Sequence, residues 1–165
     1  MTNKFPSSNI NAKSLHALQA AAAVESKEQV VGGLIVNEHN QLFFQKRSHN
    51  RALFPGCWDI TGGHVETGET FPQALAREIE EETGWQFIRI LALVHVFDWE
   101  LETEDQVIEM REFDFLVEIS GDLENPQIEE DKFTEYRWVG EEDLQMLKQN
   151  RPPDDFAIFN IAQKA

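Results

Sequence analysis

Residues 70–84, TFPQALAREIEEETG, constrain the chain more than any other stretch, because they carry both a start and a stop signal for one helix. Thr70 suits an N-cap, Pro72 the first turn, and Gln73 the return arm of a capping box. Gly84 supplies a left-handed stop, and ALAREIEEET between them is an uninterrupted run of good helix formers. At about 100° per residue, Glu78, Glu81 and Glu82 share one face of this helix, with Leu75 and Ile79 at its edge and Glu80 turned away.

Like charges at that spacing repel by a few tenths of a kcal/mol per pair when exposed, and by more when sheltered. Arg77 alone is too little to offset three carboxylates. A hard divalent cation, Mg2+ or alternatively Mn2+, fits the need: it takes carboxylate oxygens and keeps waters for substrate phosphates. A glutamate-rich helix is ordinarily just a solvated face. The wider spacing argues otherwise here: Gly63, five residues, Glu69, seven residues, Arg77-Glu78-Ile79, one residue, Glu81-Glu82, one residue, Gly84-Trp85.

That pattern resembles the complete signature of the Nudix hydrolases. The resemblance implies an α/β fold, the Nudix-type α/β/α sandwich with a mixed central sheet. It also implies hydrolysis of a phosphoanhydride in a small nucleotide or nucleoside diphosphate derivative, by water attack at phosphorus with magnesium as cofactor. Carried over by position, Glu78, Glu81 and Glu82 are the expected metal ligands, and Gly62 beside Gly63 is expected to turn a backbone carbonyl to the metal. Glu78 is also the expected general base, with Arg77 orienting a carboxylate and Glu69 as its partner. These three, Glu78, Arg77 and Glu69, form the expected catalytic group. A further metal carboxylate is expected from the loop before the last strand, where Glu130 is preferred among Glu129, Glu130 and Asp131.

For phosphate contact the candidates are Lys46 and Arg47 at a strand end and Arg51 in the loop after it. Phe54, Phe97, Trp99 and Trp138 are aromatic candidates for stacking a base, although most aromatics in a domain this size are core. The stretch FPGCWDITGGHVETGE also resembles isopentenyl-diphosphate isomerases, which share the fold. That reaction needs a cysteine four residues beyond Trp58, where Gly62 stands. A non-catalytic Nudix nucleotide-binding module is the other alternative, and it is disfavoured by the intact acidic signature.

The formal charge of −16, from 30 acidic and 14 basic residues, repels long polyanions, so a small phosphorylated substrate is expected and long nucleic acid is not. No apolar run approaches the 18 residues or more of a membrane span. The short alanine run Ala20–Ala23 does not make a signal segment, and a cytoplasmic setting is expected. Cys57 is the single cysteine, which excludes an internal disulfide.

Residues 1–28 read as an N-terminal appendage with a short helix that packs on the domain or a partner, and a homodimer through it is an expectation by analogy. Residues 29–165 read as the Nudix domain. VVGGLIV and LFFQKR are expected to pair as a hairpin across NEHNQ. SHNRALFPGCW is a loop anchored by Trp58. After the acidic helix come two long strands joined at ETED, an acidic loop, a short strand YRWV, a helix EEDLQMLKQN, and a last helix with Asp154 or Asp155 near its cap.

Overall fold

The structure, a computed structural model, describes residues 10–149 and 157–165. Helix α1 (Ala12–Val24) leads into strands β1 (Glu28–Ile35), β2 (Leu42–Arg47), β3 (Trp58–Asp59) and β4 (Thr61–His64). Helix α2 (Phe71–Thr83) follows, then β5 (Gln86–Glu102), β6 (Val107–Ser120), β7 (Phe133–Val139), a 3-10 segment (Glu141–Gln149) and α3 (Ala157–Lys164).

Helix α2 starts and stops where its signals say. The Thr70 side chain accepts from the Gln73 backbone, the Gln73 side chain returns to the Thr70 backbone, and Gly84 closes the helix at φ 73°. Both ends therefore gain capping bonds, which limits fraying.

The strands form two sheets. One is mixed, in the order β4-β1-β6-β5, with β1 and β6 parallel; the other is antiparallel, in the order β3-β2-β7. The expected hairpin between VVGGLIV and LFFQKR does not form: a single bridge, Val36 to Leu42, links the two stretches. A strand has only two edges to offer. Those of β1 are taken by β4 and β6, and those of β2 by β3 and β7, so the turn at Asn37–Gln41 passes the chain from one sheet to the other. The two long strands do pair as expected, β5 against β6, closed by the loop where Thr103 N–H donates to the Gln106 carbonyl.

Side chains alternate across the sheets and fill two cores. Val31, Ile35, Phe43, Phe113, Phe115 and Val117 join Phe71, Leu75 and Ile79 of α2, with Leu15 and Ala22 of α1, on one side. Leu34, Phe44, Ile60, Leu116 and Val139 join Leu147 of the 3-10 segment and Ile158 and Ile161 of α3 on the other. The result is helices on both faces of sheets, an α/β/α layering.

The expected helix at EEDLQMLKQN is a 3-10 segment. Its three-residue period stacks Leu144 and Leu147 on one side, and both reach the second core. The last strand is longer than YRWV, running Phe133–Val139. The expected cap at Asp154 or Asp155 lies outside the described residues. Among the described residues, no helix is long and apolar enough to cross a membrane.

Candidate active site

Helix α2 lays Glu78 and Glu82 against strand β4, and the backbone there has room only because it is glycine. A Cβ on Gly63 would stand 2.4 Å from Glu78 Oε1. Gly62 has φ 146°, in the region that favours glycine, and a Cβ on it would meet the Val31 carbonyl at 2.1 Å. Glu78 and Glu82 are accordingly 8 % and 4 % exposed, whereas Glu81 is half exposed.

Three groups hold these carboxylates. Gln45 Nε2 donates to Glu82 Oε2 at 2.7 Å, and the Gly62 N–H donates to the same oxygen at 3.1 Å. Arg77 Nη1 donates to Glu78 Oε1 at 2.6 Å and lies 3.8 Å from Glu81 Oε2. The rest of the guanidinium is fixed from behind: Nε and Nη2 both donate to Glu69 at 2.9 Å, and Nη2 also donates to the His64 carbonyl at 3.0 Å. This fork of parallel bonds sets the plane of Arg77 and holds the Glu69 carboxyl below its usual range.

Glu82 behaves in the opposite way. Burial, and then the neighbouring Glu78 charge, push its carboxyl well above the usual range against the Gly62 hydrogen bond. Two sheltered carboxylates with too little positive charge between them form a donor set that a hard divalent cation suits. Among the described residues, no three acidic, histidine or cysteine side chains already converge on a single point. The set is present, with the Arg77 guanidinium holding Glu78.

Glu78 and Glu82 line a cavity of about 630 Å³, within the range of ligand pockets. Of the candidate phosphate contacts, Arg47 and Arg51 line it and Lys46 does not. Strand alternation separates them: Gln45 and Arg47 turn to the cavity side of β2, while Lys46 pairs with Glu135 at 2.9 Å and lies over the Trp58 ring on the other. Arg47 is braced by Asp59 and the Leu53 carbonyl. Glu130 is exposed and outside the cavity lining. Its neighbour Glu129 pairs with Lys132, which does line the cavity. Burial works against the Lys132 charge, but Glu129, Glu82 and Glu78 outweigh it and raise its pKa.

Phe54, Phe97 and Trp99 also line the cavity; Trp138 packs instead on Phe43 and Trp85. Sequence reasoning missed Gln45 and Lys132. The first had a signal, an amide within a run of buried residues; the second, a lone cation after three acids, had little to mark it.

A family model for the NUDIX domain matches residues 26–159 of this chain. The chain belongs to the Nudix family. A nucleoside triphosphatase, NudI, of Escherichia coli strain UMN026 is 32 % identical over 118 residues, covering 70 % of this chain and 83 % of that protein. NudI of the K12 strain is 33 % identical over the same length. Among solved structures, a MutT Nudix hydrolase from Burkholderia pseudomallei aligns with TM-score 0.62 at 26 % identity, over 84 % of this chain and 98 % of that one. A MutT protein from Methanosarcina mazei aligns at 0.61 and 25 %, over 84 % and 96 %. With these relatives and the intact acidic signature, the chain is a Nudix pyrophosphohydrolase.

Proposed function

We propose that this Nudix enzyme hydrolyses a phosphoanhydride bond of a small nucleotide, a nucleoside triphosphate first and a nucleoside diphosphate derivative second, and that it depends on Mg2+ or Mn2+. The observation that carries the reading is one cavity joining three kinds of wall: the sheltered carboxylates Glu78 and Glu82, the cations Arg47, Arg51 and Lys132, and the aromatic rings Phe97 and Trp99. Carboxylates and a polyphosphate repel unless a divalent cation lies between them, the cations suit phosphate oxygens, and the rings suit a base. The similarity to NudI, a nucleoside triphosphatase, supports the choice of a triphosphate. A cytoplasmic setting belongs to the same proposal.

Glu78, Glu81 and Glu82, with the Gly62 carbonyl, are the groups that would hold the metal, which when bound supplies charge neutralisation at the phosphate oxygens. The chain's own residues do the rest. Arg47, Arg51 and Lys132 bind phosphate charge. Glu78, aimed by Arg77, accepts a proton from water as the water oxygen forms its bond to phosphorus. The anhydride P–O bond breaks, and the leaving oxygen departs with its phosphoryl group as phosphate or pyrophosphate. Arg77 and Glu69 act by positioning Glu78.

The test is turnover of a panel of nucleoside triphosphates and diphosphate derivatives with and without Mg2+, in oxygen-18 water to mark the phosphorus attacked. Metal-dependent release of phosphate or pyrophosphate, lost in Glu81→Gln and Glu82→Gln, is the expected result. No metal-dependent release across the panel overturns the proposal.

A further inference from the structure

Helix α1 ends before residue 26, where the family match begins, yet it is tied to both sides of the cavity. Its N-terminus is locked by a capping box between Asn11 and Ser14, and Leu15 and Ala22 are buried in the same core as α2. From this fixed helix Gln19 Nε2 donates at 2.6 Å to the Glu69 backbone carbonyl. The Gln19 carbonyl in turn accepts from Gln29 Nε2 of β1 at 3.3 Å. At the far end, Arg111 of β6 forks onto Glu25 at 2.8 and 2.9 Å and onto Asp98 of β5 at 2.6 and 2.9 Å, while Lys27 reaches Asp98 at 2.6 Å. Asp98 is flanked by Phe97 and Trp99, both in the cavity wall.

The loop from Val65 to Thr70 is anchored at its ends, Val65 on the first core and Thr70 in the α2 capping box, and between them the Glu69 side chain meets Arg77. Of its amides, Val65 donates to the Gln29 carbonyl, Glu66 to the Glu69 carboxylate, Glu69 to the Glu66 carbonyl and Thr70 to the Gln73 side chain, and its residues are mostly exposed. Yet this loop delivers Glu69 to Arg77, and Arg77 delivers Glu78 to the cavity. A loop with few contacts samples many conformations unless something packed restrains it.

We propose that α1 is part of the active-site scaffold, with Gln19 a positioning residue that pins the Glu69 loop and thereby holds the Glu69–Arg77–Glu78 relay in register. This rests on the hydrolase reading for its kinetic consequence and on the hydrogen bond alone for its structural one.

The test compares full-length wild type with Gln19→Met, which keeps length and helix propensity but lacks the donor, and Gln19→Lys, which restores a donor. Loss of one sheltered hydrogen bond gives about a five-fold effect. Hydrogen exchange at the Glu66 and Glu69 amides is expected to quicken about five-fold in Gln19→Met, with α2 and β6 amides unchanged. kcat is expected to fall by a similar factor with KM within two-fold, and Gln19→Lys to recover most of both. Unchanged exchange at Glu66 and Glu69 overturns the proposal whatever the enzyme does. Faster exchange throughout the chain overturns it too, because the role is then general stability. If wild type hydrolyses nothing, the function reading fails and the exchange result still decides this one.

Discussion

Gly63→Ala separates the chemistry of this site from its folding. Gly63 lies in β4, outside the left-handed region, so the backbone tolerates alanine; the neighbours do not. The new Cβ would meet Glu78 at Oε1, Cδ and Oε2 at 2.4, 2.6 and 2.9 Å. All three are closer than a carbon can approach, and the carboxylate, being a chain end, has to swing away. Doing so breaks its 2.6 Å bond from Arg77 Nη1. A charge-assisted hydrogen bond contributes about 1.5–3 kcal/mol, and each 1.36 kcal/mol of positioning is roughly tenfold in rate. The expected fall in kcat is therefore about ten- to a hundred-fold. The displaced carboxylate can enter the cavity and regain hydrogen bonds to water there, so the net cost to stability is expected to be about 1 kcal/mol, roughly 2–4 °C in the thermal midpoint. The assay is initial rate at saturating nucleotide and Mg2+, with a melt on the same sample. A folded Gly63→Ala protein whose kcat stays within two-fold of wild type refutes the assignment of Glu78, aimed by Arg77, as the group that accepts the proton.

Three further outcomes follow from contacts at and around the site. Glu82→Gln keeps both of its hydrogen bonds, because Gln45 and Gly62 donate to a single oxygen that an amide also has; it removes a buried acid beside Glu78. Without metal, Glu82→Gln is therefore expected to melt higher than wild type at pH 7, and with Mg2+ it is expected to lose turnover; a lower metal-free melt contradicts this. Gln45→Leu strips Glu82 of its side-chain partner and is expected to cost about 2 kcal/mol, read as a lower urea midpoint. Asp98 is held well below the usual aspartate range by Arg111 and then Lys27. A carboxyl whose pKa is depressed on folding adds stability above its unfolded value and loses it as pH falls toward its folded one. The melting gap between wild type and Asp98→Asn is thus expected at pH 7 and to close toward pH 2; a constant gap excludes the linkage.

Helix α2 was legible in sequence because its caps are local: Thr70, Gln73 and Gly84 act on neighbours within one turn, and tertiary packing had nothing to override. The clustering of Glu78 with Glu82 followed from helix geometry for the same reason. The partition into two sheets was not legible. VVGGLIV and LFFQKR carry every local mark of a hairpin, and what separates them is competition for edges from β4, β6, β3 and β7, all decided at long range. Lys46 and Arg47 were indistinguishable as cations at a strand end until the pleat set them on opposite faces. Gln45 illustrates the limit most clearly: a polar residue amid buried ones announces a partner, but nothing near it in sequence names Glu82, 37 positions away.

The division of the interior into two cores places the acidic helix and the chain's last helix on opposite faces of shared strands. The acidic helix and α1 rest on the first core, through Phe71, Leu75, Ile79 and Leu15. The 3-10 segment and α3 rest on the second, through Leu147, Ile158 and Ile161. Because neighbouring residues of one strand serve different cores, Phe43 the first and Phe44 the second, and because Ile60 of the second core also lines the cavity, a change of volume in the second core is passed toward the carboxylates through the strand it sits on. Durability and bond-breaking are thereby open to selection only together.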